Sequence, residues 1–119
     1  MKKHTIPMKI YHNPRCGKSR ETLKILQDNG VEPEIVKYLD DVPTADELKN
    51  ILDKLKMKPE ELVRKTEKIY KEKFKGKELS DEEWIKAMTE YPKLIQRPIV
   101  VKGNKAVLGR PPENVKELI

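Results

Sequence analysis

Cysteine is nearly absent from this sequence, because Cys16 is the only one in 119 residues. One cysteine cannot form a disulfide within the chain. A redox role for Cys16 would therefore need a second thiol from another molecule. Small thiols are supplied in reducing compartments, which makes the cytoplasm the expected location.

Long apolar segments are also missing. No run approaches the ~20 apolar residues of a membrane-spanning helix, and the basic N-terminus lacks the apolar stretch of a signal peptide. Hydrophobic residues make up 36% of the chain and charged residues 39%, which is typical of a compact domain with a charged surface. We predict one domain over residues 1–119, with residues 1–7 as a candidate disordered extension.

Arginine is scarce beside lysine. The chain has 21 lysines, 5 arginines and a net charge of +6. The lysines are spread among 20 acidic residues, which favours a solvated surface over a nucleic-acid or membrane partner. Each arginine is a candidate for binding an oxyanion, because its guanidinium group can donate two parallel hydrogen bonds. Arg15 and Arg20 lie near Cys16, and the others are Arg64, Arg97 and Arg110.

Cys16 lies where a strand-like segment ends and a helix-like segment begins. Unpaired backbone N–H groups at a helix N-terminus lower the pKa of a thiol and raise the fraction of thiolate. A lone cysteine is often a small buried apolar residue instead. Here the neighbours are polar, charged, glycine and proline, which favours a reactive thiol.

The pattern of elements predicts an α/β fold. Met8–Tyr11, a helix from about Cys16 to Asn29 and Glu34–Leu39 form a βαβ unit with two parallel strands. A helical block follows over about 43–93, with capping boxes that begin at Thr44 and Ser80. Gly103-Asn104 then predicts a hairpin between two short apolar strands, and residues 113–119 form a terminal helix whose apolar side is Val115, Leu118 and Ile119.

A four-stranded mixed sheet with a cysteine after its first strand is the arrangement of a thioredoxin-like fold. The helical block is then an insertion between the βαβ and ββα parts. Pro98 stands just before the third strand, where this fold typically has a cis peptide bond. We therefore predict that the Arg97–Pro98 bond is cis.

Four stretches together closely resemble one family, the glutaredoxin-dependent arsenate reductases of the thioredoxin-like class. The resemblance covers nearly the whole chain after Met8. Any one stretch alone would be weak evidence, since Cys-x-x-Ser occurs in many proteins by chance. The stretches are Tyr11-His12-Asn13-Pro14-Arg15-Cys16-Gly17-Lys18-Ser19-Arg20, Leu62-Val63-Arg64-Lys65, Gln96-Arg97-Pro98-Ile99-Val100-Val101 and Gly109-Arg110-Pro111.

The resemblance implies a role for each matching residue. Cys16 would be the nucleophile and His12 would help to hold its thiolate. The arsenate oxyanion would be bound by Arg64, Arg97 and Arg110, while Asn13, Ser19 and Pro98 would shape the loop.

The resemblance also implies the reaction partners. The Cys16 thiolate would attack arsenate, glutathione would attack the adduct as co-substrate, and glutaredoxin would resolve the product. No metal site and no bound cofactor are expected, and a monomer is the simplest assembly.

Ordinary structural roles remain open for several of these residues. An arginine can be a surface cation or an ion-pair partner, which is the stronger alternative for Arg64 in its lysine-rich surroundings. Arg97 and Arg110 each precede a proline, which restricts their backbone and favours a preorganised anion site. His12 can instead be a hydrogen-bonded histidine at a strand end.

Other function classes also remain open. Spx-type regulators share the fold and bind RNA polymerase, but they lack the Arg-Pro pair found here at Arg110-Pro111. Another glutathione-linked thiol reductase would use the same residues. Phosphatase-like reductases need Cys-x5-Arg, whereas Thr22 stands at that position. Direct nucleic-acid binding ranks lowest, since no basic stretch interleaved with aromatic residues is present.

Overall fold

A computed structural model describes residues 6–119. Its strands are Met8–His12 (β1), Glu34–Lys37 (β2), Ile99–Lys102 (β3) and Lys105–Leu108 (β4). Its α-helices are Gly17–Asp28 (α1), Ala45–Leu55 (α2), Lys68–Lys73 (α3) and Asp81–Glu90 (α4). Three 3₁₀ helices among the described residues lie at Pro59–Leu62, Pro92–Leu94 and Pro112–Leu118.

Residues 1–5 of the extension predicted over residues 1–7 lie outside the described residues. Ile6 and Pro7 are described and exposed. No helix among residues 6–119 is both long enough and apolar enough to cross a bilayer.

The four strands form one mixed sheet in the order β2-β1-β3-β4. β1 is parallel to β2 and antiparallel to β3, and β3 is antiparallel to β4. This is the predicted sheet, but β2 ends at Lys37 instead of Leu39. Lys37 pairs with His12, the last residue of β1, so the next residues have no strand to pair with.

The chain divides into two compact units. The sheet unit comprises the described chain up to Lys37 together with Arg97–Ile119, and the helical unit comprises Tyr38–Gln96. The predicted helical block over about 43–93 falls within the helical unit. The description of residues 1–119 as a single domain stays a prediction.

The core of the sheet unit lies between the sheet, α1 and the C-terminal 3₁₀ helix. Ile10 and Val100 pair across β1 and β3, and both are fully buried. The predicted terminal α-helix is a 3₁₀ helix, in which residues three apart lie in line. Val115 and Leu118 are therefore buried together, whereas Ile119, predicted on the same side, is exposed.

The two longer helices of the helical unit begin where the sequence predicts. The Thr44 side chain accepts a hydrogen bond from the Glu47 N–H group, and Ser80 and Glu83 form a complete capping box. The lysine-rich segment over 65–77 contains only the short helix α3, which has no buried residue. An aromatic cluster packs beside it, formed by Tyr70, Phe74, Trp84 and Tyr91.

Candidate active site

Cys16 is the residue immediately before α1, in the extended conformation of a helix N-cap. Its N–H group donates to the Asn13 carbonyl at 2.9 Å, and its own carbonyl accepts from the Arg20 N–H group at 3.0 Å. The thiol is free and the residue is partly exposed. The predicted position of the thiol at a helix N-terminus is confirmed.

The surroundings of Cys16 favour the thiolate. Burial on its own raises the pKa of the thiol, because it disfavours the charged form. Hydrogen bonds from the Ser19 backbone N–H, the Arg97 side chain and the Lys18 backbone N–H outweigh this effect. The positive charge of Arg97 acts in the same direction, so the pKa of Cys16 lies below its ordinary value. A partly exposed thiol with a lowered pKa is suited to nucleophilic attack.

Ser19 connects the end of β1 to the first turn of α1. It is fully buried, and its Oγ lies 2.5 Å from His12 Nδ1 and accepts from the Asn13 N–H group at 3.0 Å. The Asn13 side chain in turn accepts from the Arg15 N–H group at 3.0 Å. The loop that carries Cys16 is thus held by short-range hydrogen bonds at both ends.

His12 is buried and neutral near pH 7. Burial lowers the pKa of its imidazole, and the nearby charges of Lys37 and Arg20 lower it further. Among residues 6–119, Ser19 Oγ has only His12 Nδ1 to receive its hydroxyl proton. We therefore assign the imidazole proton to Nε2.

Arg97 and Arg110 lie in the two loops that precede β3 and follow β4. Arg110 Nη1 donates to the Arg97 carbonyl at 3.1 Å, while the Arg97 side chain bonds to Cys16. The Asn114 side chain donates to the Leu108 and Arg110 carbonyls, each at 3.2 Å. Two of the three predicted oxyanion-binding arginines are therefore linked to each other, and one reaches the thiol.

Both of these arginines precede a cis proline. The predicted cis bond at Arg97–Pro98 is confirmed, and a second one occurs at Arg110–Pro111. The second was not predicted from the sequence.

Gly109 allows the loop before Arg110 to approach α1 closely. A Cβ atom there would lie 2.6 Å from Thr22 Oγ1 and 2.8 Å from Pro98 Cγ, both too short for a real contact. The Gly109 N–H group donates to the Pro98 carbonyl at 2.8 Å, and Thr22 Oγ1 donates to the Lys18 carbonyl at 2.8 Å. Any larger residue at this position would have to push the loop away.

Sequence reasoning missed the structural parts played by Thr22, Gly109 and Asn114. A signal for Thr22 was present, because Ser19, Thr22 and Leu26 have the spacing of one helix face and are the buried residues of α1. The apolar pattern alone selects Leu23, Ile25 and Leu26, of which Leu26 is fully buried and the other two are only partly buried. No local signal indicated the close approach at Gly109.

Arg64, the third predicted oxyanion-binding residue, belongs to the helical unit. Its N–H group donates to the Leu94 carbonyl, beside the bridge between Val63 and Ile95. Its buried Nε lies 3.6 Å from a Glu67 carboxylate oxygen, an ion-pair distance too long for a hydrogen bond. A role for Arg64 in binding an oxyanion stays a prediction.

Comparisons with known proteins agree on one family. The ArsC family matches residues 11–118. An arsenate reductase of Haemophilus influenzae is 43% identical over 112 residues, which cover 92% of this chain and 97% of that protein. A protein of Escherichia coli K12 with the name "Uncharacterized protein YfgD" is 51% identical over 117 residues, 97% of this chain and 98% of that protein. The structure of an arsenate reductase from Vibrio cholerae matches with a TM-score of 0.93 at 44% identity, covering 98% of this chain and 100% of that one.

Proposed function

The chain belongs to the ArsC family, and from this membership and the geometry around Cys16 we propose that it reduces arsenate to arsenite. The observation that carries the proposal is the partly exposed thiol whose pKa is lowered by backbone N–H groups and by Arg97. A cationic, hydrogen-bonding side chain at the nucleophile is what an attack on an oxyanion requires.

Arsenate is a tetrahedral oxyanion, and its oxygens must be held while the sulfur attacks. Arg97 and Arg110 are linked by a hydrogen bond and supply two guanidinium groups for this purpose. Arg64 is included in the proposal as a third. His12 acts through Ser19, whose side chain it holds and whose backbone N–H group bonds to the Cys16 sulfur.

The reaction must deliver two electrons to arsenic. The Cys16 thiolate attacks arsenic and an oxygen leaves as water, which forms a sulfur–arsenic bond without changing the oxidation state. A second thiol then attacks the Cys16 sulfur atom of the adduct. The sulfur–arsenic bond breaks and its electron pair stays on arsenic. The two thiols end as a disulfide and arsenite is released.

The second thiol must come from outside the chain, since Cys16 is its only cysteine. We propose glutathione as this thiol and glutaredoxin as the protein that reduces the mixed disulfide. Both are supplied in the cytoplasm, where we place the reaction, with a monomer as the working unit.

The test is NADPH oxidation coupled through glutathione reductase, with arsenate, glutathione and glutaredoxin present. The wild type is compared with Cys16→Ser and with Arg110→Ala. Lys24→Ala is the control, because Lys24 is an exposed lysine on α1 that pairs with Asp28.

We expect Cys16→Ser to abolish turnover and Arg110→Ala to raise the KM for arsenate while the protein stays folded. Lys24→Ala should match the wild type. Folded wild-type protein with a reactive thiol but without arsenate-dependent turnover would contradict the proposal. Full turnover in Cys16→Ser would contradict the proposed nucleophile.

A further inference from the structure

Arg20 is a charged residue near the loop that carries the thiol, and the proposed reaction has not used it. It lies four residues after Cys16 on α1, so it is on the same face one turn further along. Its guanidinium group turns back across the loop, where Nη1 donates to the Pro14 carbonyl at 2.9 Å. Nη2 would lie 3.7 Å from a Cβ atom at Gly17. The guanidinium group is thereby fixed beside the exposed segment that carries the thiol.

The charge of Arg20 is not neutralised by this contact. Its one bonded partner among residues 6–119 is a neutral carbonyl, and the residue is exposed. Exposed Arg15 lies in the loop before α1 and exposed Lys18 lies in the first turn of α1. Exposed Lys37 pairs with His12 across the sheet. The exposed acidic residue nearest in sequence is Glu21. Positive side chains therefore outnumber acidic ones among these exposed residues.

Arg20 differs from the arginines that the reaction uses. Arg97 and Arg110 are partly buried; Arg97 bonds to the thiol and Arg110 bonds to the Arg97 carbonyl. Arg20 is at the surface, and its guanidinium group has further N–H donors available. A guanidinium group presents five donors, and a bidentate carboxylate needs two of them. A molecule that brings both a thiol and a carboxylate to Cys16 would meet Arg20 as its sulfur approaches.

From these contacts we propose that Arg20 binds a carboxylate of the incoming thiol donor and so selects carboxylate-bearing thiols such as glutathione over neutral ones. The inference rests on the proposed function, in which an external thiol attacks at Cys16. It adds a recognition residue for the second reactant, separate from the residues that hold arsenate.

The test uses thiol–disulfide exchange without arsenate. The Cys16 thiolate attacks one sulfur of glutathione disulfide, the sulfur–sulfur bond breaks, a mixed disulfide forms and glutathione thiolate leaves. The same exchange is measured with bis(2-hydroxyethyl) disulfide, which has no carboxylate. The variants are Arg20→Gln and Arg20→Lys, with Lys24→Gln as the control on the same helix.

We expect Arg20→Gln to lower the ratio of the two exchange rates about fivefold, Arg20→Lys to restore part of it, and Lys24→Gln to leave it unchanged. High salt should lower the ratio for the wild type, because exposed charges are screened. Equal loss with both disulfides would show that Arg20 only holds the loop and would overturn the inference, as would no change with either.

The same experiment separates this inference from the proposed function. If Arg20→Gln lowers the rate ratio but the wild type does not reduce arsenate, the role of Arg20 is supported and the proposed reductase activity is contradicted. Arsenate turnover with an unchanged rate ratio and an unchanged KM for glutathione in Arg20→Gln would reject the role of Arg20 alone.

Discussion

In the sheet unit the buried hydroxyl groups of Ser19 and Thr22 are both hydrogen-bonded, whereas in the helical unit the buried indole N–H group of Trp84 has no hydrogen-bond partner among residues 6–119. The helical unit also contains a buried Gln96 side-chain oxygen without a partner in the described chain. The Ser19 hydroxyl bonds to His12 and Asn13 in the segment before Cys16, and the Thr22 hydroxyl bonds to the Lys18 carbonyl in α1. The contacts of Trp84 are instead aromatic rings.

The difference separates two uses of a buried side chain. Ser19 and Thr22 direct backbone and loop positions around Cys16, so their loss should change its chemistry. Trp84 fills space between rings, so its loss should change stability and leave the thiol pKa alone. The hydrogen-bonding and charged groups that lower the pKa of Cys16 all belong to the sheet unit.

The largest effect is expected from Trp84→Ala. Trp84 is 2% exposed, with ring centroids 6.3 Å from Tyr70 and 5.9 Å from Phe74. Deleting a buried aromatic side chain costs about 3–5 kcal/mol of unfolding free energy, which urea unfolding can measure. Trp84→Phe keeps a ring and removes the unpaired N–H group, so it should cost less than Trp84→Ala.

The thiol pKa of Trp84→Ala, measured by alkylation rate against pH in the folded state, should equal that of the wild type. A shifted thiol pKa would contradict the expectation that Trp84 contributes to stability without affecting the chemistry of Cys16. Equal destabilisation by Ala and Phe would show that the ring contacts are not what stabilises this site.

Gly109→Ala should produce the next effect, in the sheet unit. The added Cβ atom would be forced against Thr22 and Pro98, and overpacking of this kind costs about 1–3 kcal/mol. Because Arg110 is the next residue, the KM for arsenate should also rise. Gly17→Ala is the matched control for stability, since the contact of its Cβ atom at 3.7 Å is an ordinary one. Equal unfolding free energies for the two variants would contradict the close approach.

Much of the fold could be predicted from local signals. Gly103-Asn104 marks the hairpin, Thr44 and Ser80 mark two helix starts, and the apolar runs mark the strands. The thioredoxin-like fold and the resemblance to arsenate reductases are confirmed, the latter because four separated stretches match together.

The details that failed depend on contacts between distant parts of the chain. β2 is shorter than its sequence allows because its partner strand stops at His12. The end of the chain adopts a 3₁₀ helix that no capping signal distinguishes from an α-helix. The need for glycine at position 109 comes from Thr22 and Pro98, which are far away in sequence. The residues around the thiol could be predicted from the sequence, but the hydrogen-bonding groups that lower its pKa are visible only in the structure.

Ser19→Ala should have a smaller but more informative effect on the sheet unit. It leaves the buried Asn13 N–H group and His12 Nδ1 without their partner, at a cost of about 1–3 kcal/mol. Thr22→Val keeps the shape and removes one bond to a helix carbonyl, so it should cost less than about 1 kcal/mol.

The thiol provides the second readout of the Ser19 comparison. Because the Ser19 backbone N–H group bonds to the sulfur, a displaced residue 19 should raise the thiol pKa in Ser19→Ala, while the pKa in Thr22→Val stays closer to that of the wild type. A larger loss of stability or a larger rise in thiol pKa in Thr22→Val than in Ser19→Ala would mean that the serine hydroxyl does not hold this loop.

The smallest effect is the pH dependence of stability from His12, which is a single titrating group. Burial first, and then Lys37 and Arg20, lower its pKa in the folded chain below the unfolded value of about 6.5. As the pH falls below about 6.5, the unfolded chain binds the proton first, so the folded state loses stability until the lower folded pKa is passed. His12→Asn can still bond to Ser19 but does not titrate. The stability advantage of the wild type over this variant should therefore shrink between pH 7.5 and pH 5, as measured by urea unfolding. A stability advantage that stays constant with pH would contradict the lowered pKa of His12. An NMR titration of the His12 imidazole should also show a higher pKa in Arg20→Gln than in the wild type, because one positive charge has been removed.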